Sequence, residues 1–451
     1  MESQKIGKIA SWCSGKTVDP ALLERKCVGI STDTRKISRG DIFVAIRGEN
    51  HDGHRFAAEA VRKGAVAVVG EEIEAPFEKY LLRVKNSTRA LGDIARGYRK
   101  LFSPCVIGVT GSDGKTTTKE LLKKVLSSGH ETAGTEGNLN NEIGLPLSIF
   151  RLDRKTEFFV LEMGMNRKGE IDYLSRIAMP GIGVITNIGT AHIGYFNSMK
   201  SIAESKAEML GNLTGNGFAV LNYDNRFYEF LKGKSRRPSI SFGMKRGADV
   251  RGIITGETND TFSFAVEGEE GGFRMGFWNT TIMYPALVSC LAGRKFNVGG
   301  RKLKEIIEDI RPLPGRGMIR KAGKLSIIDE TYNCNPNSLR WALRTFSRKD
   351  FRGKIAVLGD MEELGRLSHV LHRNIGLYAR NLDIDLILTF GRKSRVISET
   401  AGGSCRHFED IEKLNRHLAG IVKGYEAVLV KGSRLMGLER TVDYLANGEG
   451  H

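Results

Sequence analysis

Short runs of β-branched and aliphatic residues recur along the whole chain, each ending in a polar loop, with longer segments of helical character between them. Residues 28–35 read as a strand running into a polar turn, 40–46 as a second strand, and 65–69 as a buried strand reached through a polar loop at 48–54 and a helical stretch. Further on, strands at 106–109, 158–161, 183–186 and 219–221 alternate with helical segments, the first of them at 119–128. A third series follows at 326–328, 355–358, 385–388 and 427–430. Such alternation predicts parallel sheets covered by helices on both faces, with ligands at the carboxyl ends of the strands. The Gly-rich segment 243–285 breaks the pattern and reads as short antiparallel strands.

Pro104 and the run Leu313-Pro314-Gly315-Arg316 punctuate these series. They predict an α/β protein of three domains, spanning 1–100, 101–312 and 313–451. A length of 451 residues fits, since domains run to about 100–200 residues each. The last series is of the Rossmann-like, nucleotide-binding type.

Charge narrows the partners. The net charge is +17, but the basic residues are scattered among acidic ones, with no dense Lys/Arg block interleaved with aromatics. That disfavours nucleic acid and favours phosphorylated small ligands. Six dispersed cysteines without a CxxC pair argue against a zinc site or a disulfide framework and for a reducing cytosol. Residues 1–11 lack the apolar core of a signal peptide, and no run approaches the ~18 apolar residues of a spanning helix. A cytoplasmic protein without an integral membrane segment is expected.

The strand at 106–109 leads into Thr110-Gly111-Ser112-Asp113-Gly114-Lys115-Thr116-Thr117. Strand, glycine turn and helix start form an anion site: the glycines let backbone N–H groups approach phosphate oxygens, and the helix dipole favours their charge. Lys115 would lie along the β/γ-phosphates and Thr116 would offer its hydroxyl to Mg²⁺. The usual spacing puts a glycine at position 109, where this chain has Val109, with Gly108 one residue early. A βα turn whose glycines only cap is the alternative, and the coincidence of strand, Gly-Lys-Thr and helix favours phosphate.

Other residues are ambiguous on their own. Glu162 ends the strand at 158–161 and is a natural carboxylate for Mg²⁺, or equally a helix N-cap. His192 would more often be a structural histidine than a ligand, and Lys206, on a predicted helix, looks like any solvated lysine.

A resemblance bears on these ambiguities. The loop at 110–117, with its altered glycine spacing, resembles that of the Mur ligases and folylpolyglutamate synthases. Residues 135–146 (Thr-Glu-Gly-Asn-Leu-Asn-Asn-Glu-Ile-Gly-Leu-Pro), 329–338 (Asp-Glu-Thr-Tyr-Asn-Cys-Asn-Pro-Asn-Ser), 358–365 (Leu-Gly-Asp-Met-Glu-Glu-Leu-Gly) and 431–434 (Lys-Gly-Ser-Arg) are similar to the Mur ligases that add D-alanyl-D-alanine. It implies an N-terminal UDP-sugar domain, a central P-loop ATPase and a C-terminal domain for the incoming amine. The implied substrates are ATP, UDP-N-acetylmuramoyl-tripeptide and D-alanyl-D-alanine, acted on by a monomer. Gly111, Ser112, Asp113, Gly114, Lys115, Thr116 and Thr117, with Arg316 and Asp329 reaching back, would hold ATP. Thr116, Glu162, His192 and a Lys206 carbamylated by CO₂ would serve Mg²⁺, with Lys115, Lys206 and His192 catalytic. Thr32, Thr34, Asn50 and His51 match UDP contacts, Asn138 and Asn141 the sugar or its peptide, and Tyr332, Asn333 and Asn335 a loop closing over the reaction centre. Residues 281–286 depart from the family's adenine pattern, so no adenine contact is assigned.

Three alternatives carry distinguishing features. A folate polyglutamylating ligase would lack the first unit and the 332–336 block. A diamino-acid-adding relative would carry an Asp-Asn-Pro-Arg-like motif, which this chain does not have. A non-catalytic nucleotide-binding module would not need Glu162, His192 and Lys206 together.

Overall fold

The computed structural model describes residues 1–48, 51–196 and 198–447. Its first sheet has four parallel strands, Gly29–Ser31, Asp41–Val44, Ala67–Gly70 and Leu81–Arg83, paired in that order. The two central strands are buried throughout, which is why they read as unbroken apolar runs rather than as alternation. Gln4–Lys5 and Lys26–Cys27 add a small antiparallel pair.

Helix Ser87–Arg99 carries the chain to the second sheet. Asn86 caps it, its side chain accepting from Arg89 N at 2.8 Å, and Ala90, Leu91, Ile94, Ala95 and Tyr98 form its buried stripe. The Tyr98 hydroxyl donates to Leu152 O and accepts from Glu2 N, both at 2.7 Å. One phenol therefore ties the first residues of the chain and this helix to the second unit.

The second sheet runs, in space, from Thr132–Gly134 through Phe158–Glu162, Cys105–Thr110, Ile182–Ile185, Phe218–Asn222 and Ser239–Gly243 to Val250–Glu257, all parallel. Phe262–Val266 and Phe273–Met275 complete it antiparallel, inside the segment expected to hold short antiparallel strands. The helix after the glycine loop is Lys115–Leu126, which corrects the expected start at 119. Its first turn, Lys-Thr-Thr-Thr, has no apolar residue, so periodicity could not reveal it.

The third sheet is ordered Met318–Ala322, Leu325–Glu330, Ala427–Lys431, Lys354–Gly359, Leu386–Phe390 and Cys405–Phe408, parallel except for its first pair. Second and third units meet along a seam. At one end the Asn259 side chain exchanges two hydrogen bonds with the Asp350 backbone, at 2.6 and 2.9 Å, and Lys349 Nζ lies 2.7 Å from Glu257 Oε1. At the other end the loops after the third sheet's strands reach the glycine loop of the second. Among the described residues no helix is long and apolar enough to cross a membrane.

Candidate active site

The glycine loop leaves the carboxyl end of Cys105–Thr110 at the middle of the parallel sheet. Gly111 must be glycine, because a Cβ there would strike Thr186 Oγ1, and Gly114, at φ +81°, turns the chain into the helix. The neighbouring strand loop holds this turn. Ser112 N donates to Asn187 O at 3.0 Å, Asp113 N to Asn187 Oδ1 at 2.7 Å, and Thr186 Oγ1 to Asp113 O at 2.6 Å. The buried Ser112 hydroxyl accepts from Gly189 N at 2.8 Å. The loop is thus shaped before any ligand meets it, which lowers the ordering cost of binding.

Two lysines converge on one carbonyl oxygen. Lys115 Nζ donates to Gly111 O at 2.8 Å, and Lys206 Nζ, from helix Met199–Gly211, donates to the same oxygen at 3.0 Å. Lys206 is 1% exposed, so the solvated reading of it is corrected. Burial, reinforced by the nearby charge of Lys115, pushes the Lys206 amine well below the usual lysine range. Neither cause is visible in a helical pattern read alone.

Glu162 is the last residue of its strand and 2% exposed, not a helix cap. Its Oε1 accepts from Asn140 Nδ2 at 2.7 Å, while the buried Oε2 has no hydrogen-bond partner. His192 Nδ1 is also buried without one: it lies 2.7 Å from Glu363 Oε2 but out of line for a hydrogen bond. Chiefly through this imidazole, the Glu363 carboxyl is held below the usual carboxylate range. No group of three His, Cys, Asp or Glu side chains forms a complete metal cage among the described residues. An orphaned buried carboxylate oxygen and the Thr116 hydroxyl are oxygen donors of the kind Mg²⁺ takes, few of them from protein while it keeps phosphate oxygens and waters.

The third unit touches this centre directly. Arg316 Nη2 donates to Thr116 Oγ1 at 3.3 Å, and its guanidinium stacks 4.0 Å from the Tyr332 ring centre. Asn335 Nδ2 donates to Asp113 Oδ1 at 2.6 Å, while its Oδ1 caps helix Pro336–Ser347. Buried Lys431 supports this loop from below, donating to Glu330 Oε2 and to Asn333 O, both at 3.0 Å. Paired with Glu330, the Lys431 ammonium is favoured despite its burial.

Not every expected site residue arrives here. Both Asp329 oxygens are taken by its own loop, through Gly315 N at 3.1 Å and through Thr331 N and Oγ1 at 3.1 and 2.6 Å. Asn333 Oδ1 accepts from Cys334 N at 2.8 Å. Asn141 Oδ1 accepts from Ile143 N and Gly144 N at 3.2 and 2.8 Å, starting helix Gly144–Ile149, and Asn138 is exposed beside it. Thr32, Thr34 and an exposed His51 stay with the first sheet, and Asn50 lies outside the described residues. Asn140, Asn187, Glu363 and Lys431 were not singled out from the sequence. Asn140, Glu363 and Lys431 lie within the family-like stretches, and Asn187 at the carboxyl end of the strand at 183–186, and those positions were the available signal.

Asn140 bears a testable load. With it replaced by alanine, Glu162 loses the one side-chain donor that orients it, and the Mg²⁺ concentration for half-maximal activity is expected to rise by about 10-fold or more. A magnesium titration of N140A checks this, and an unshifted curve would detach Glu162 from the metal.

A phosphate loop on a parallel sheet, met across a seam by a second nucleotide-type sheet, defines a nucleotide-binding α/β protein of three units. The chain belongs to the Mur ligase family: the Mur ligase catalytic domain matches residues 26–99, the middle domain 109–293 and the glutamate ligase domain 315–434. It is 32% identical over 455 residues to the UDP-N-acetylmuramoyl-tripeptide–D-alanyl-D-alanine ligase of Bacillus subtilis (strain 168), covering 98% of both chains. It is 31% identical to the ligase of the same name from Escherichia coli (strain K12), covering 92% of each. Among solved structures, MurF from Acinetobacter baumannii superposes with a TM-score of 0.91 at 27% identity, covering 99% of each chain. MurF from Thermotoga maritima in complex with ADP superposes with a TM-score of 0.83 at 30% identity, covering 93% of this chain and 97% of that one.

Proposed function

We propose that this protein is an ATP-dependent amide ligase that joins D-alanyl-D-alanine to UDP-N-acetylmuramoyl-tripeptide, releasing ADP and phosphate and yielding the UDP-linked pentapeptide precursor of peptidoglycan. The observation that carries this reading is the match, over nearly the whole chain, to ligases bearing that name, together with a phosphate loop whose Lys115 and Lys206 share one carbonyl.

The tripeptide's terminal carboxylate attacks the γ-phosphorus of ATP, forming an acyl phosphate as the bond to ADP breaks. Carboxylate and triphosphate repel, so positive charge must be in place beforehand. Lys115 supplies it from within the loop, and Arg316 reaches Thr116 from the third unit. Magnesium, held through Thr116, Glu162, His192 and a carbamylated Lys206, would neutralise further phosphate charge. The amine of D-alanyl-D-alanine then attacks the acyl carbon, and phosphate leaves. Water has to be kept out or the acyl phosphate is lost, and the Asn335–Asp113 and Arg316–Thr116 contacts are where the third unit closes the site.

In this reading residues 1–100 bind the UDP-sugar through Thr32, Thr34, Asn50 and His51. Residues 101–312 bind ATP and, through Asn138 and Asn141, the sugar-peptide. Residues 313–451 bring in the amine, with Tyr332 and Asn333 on the closing loop and Asp329 holding that loop in shape. The protein acts as a cytoplasmic monomer. Phosphate release from the purified protein should depend jointly on UDP-tripeptide and D-alanyl-D-alanine. Release with glutamate plus folate instead would overturn the proposal.

A further inference from the structure

Five non-glycine residues have a backbone in the left-handed region among the described residues: Ser14, Met179, His192, Asn297 and Glu363. Ser14 and Met179 are helix C-caps, and Asn297 directly follows the cap of helix Met283–Lys295, where such values are ordinary. The other two face each other across the seam. His192, at φ +63°, belongs to the second unit and Glu363, at φ +61°, to the third, with Nδ1 and Oε2 2.7 Å apart. Strain of this kind persists only where the surroundings impose it.

The surroundings here are backbone. Gly194 N donates to Glu363 O at 2.8 Å, and a Cβ on Gly194 would come within 2.6 Å of that oxygen and 2.5 Å of Gly365 N. The Glu363 main chain is therefore pinned against the second unit, while its side chain remains 42% exposed.

Other carboxylates along this part of the seam are committed. Asp113 is held by Asn335 and Asn187, Glu330 by Lys431, Asp360 by the Ser394 backbone and Glu362 by Lys393. Glu363 alone among these meets a group that is not aligned to bond it. The centre it borders already holds the cations Lys115 and Arg316. An amine arriving as an ammonium ion would be repelled there unless an anion received it.

We propose that Glu363 binds the ammonium group of the incoming amine substrate, exchanging His192 for it. The inference rests on the ligase reading and adds the recognition element for its amine. Exchange would bring the nitrogen to the seam where the acyl phosphate forms and leave the His192 ring free.

The test is steady-state kinetics of Glu363→Gln, with Glu363→Asp alongside. E363Q should raise KM for D-alanyl-D-alanine by about 30-fold, as expected for truncating one partner of a close charge pair, and KM for ATP and UDP-tripeptide by less than about 3-fold. E363D, which keeps the charge, should recover part of the loss. An unchanged KM for the dipeptide overturns the proposal. So does an equal rise in all three KM values, which would make Glu363 only a clasp between the units. A wild-type protein with no dipeptide-dependent phosphate release would sink the ligase reading itself, an outcome distinct from a normal wild type with a silent E363Q.

Discussion

Lys115→Ala is expected to lower ATP-dependent turnover by at least about 10³-fold while the protein remains folded. The size follows from where charge develops. Removing one preorganised donor from an oxyanion site costs roughly 10²–10³ in rate, and removing a cation from a transferring phosphoryl group costs about 10³–10⁵. Lys115 opens the helix at the loop, and its ammonium is held against the loop by Gly111 O and Ser112 O. Its contribution to stability is small by comparison. Those two bonds are made by a partly exposed side chain, and losing the ammonium also relieves its repulsion of Lys206. Phosphate release at saturating substrates, read beside the thermal unfolding midpoint, separates the two effects. Turnover within 10-fold of wild type would reject the phosphate-loop reading, and a collapse of the midpoint would mean the lysine is structural.

What the sequence made legible follows a physical division. Strands buried on both faces announced themselves as apolar runs, and the glycine loop declared its chemistry because Gly111 and Gly114 are demanded by local backbone geometry. Position alone left Glu162 open between a carboxylate at a strand end and a helix cap; the structure places it as the last, buried residue of its strand. Lys206 was not legible without the family resemblance. Its burial arises from packing between the helix Met199–Gly211 and a loop 95 residues earlier in the chain, and a helix pattern cannot report what covers it. Glu363 was missed for a similar reason: its partner His192 lies in another unit, and only the docked backbones at Gly194 and Gly365 bring the pair together. Asp329 shows the reverse case. Its place in a quoted segment suggested ATP, yet its oxygens hold the turn that carries Arg316 and Tyr332.

The seam also explains why the phosphate loop is not self-sufficient. Thr116 and Asp113 each spend a hydrogen bond on the third unit, through Arg316 and Asn335. Opening the seam would remove both contacts together with the His192–Glu363 pair. If Glu363 receives the amine as proposed, positioning of the loop and delivery of the amine are coupled through this seam, as water exclusion around an acyl phosphate would require.

Lys206→Ala is expected to be inactive, to lose no stability, and to regain part of its activity when short carboxylic acids are added. A bare ammonium buried beside Lys115 is unfavourable on two counts, burial and like charge, and both push the group toward the neutral amine. The neutral amine is the form that reacts with CO₂, and the product carries a carboxylate-like negative charge that Mg²⁺ and the nearby lysine both favour. The sign of the pH dependence follows. Because the folded-state pKa lies below that of the unfolded chain, the cost of burying the charged lysine is fully present below the folded value. It is relieved as pH rises from there toward the ordinary lysine range. Removing the side chain should therefore raise the unfolding midpoint at acid and neutral pH and change it least at alkaline pH. Activity of the wild type should rise with added bicarbonate, while that of K206A should respond to acetate or formate instead. Full activity of K206A without any added acid would reduce Lys206 to a buried structural lysine. Inactivity without rescue, accompanied by a lower midpoint, would assign its role to packing against the phosphate loop.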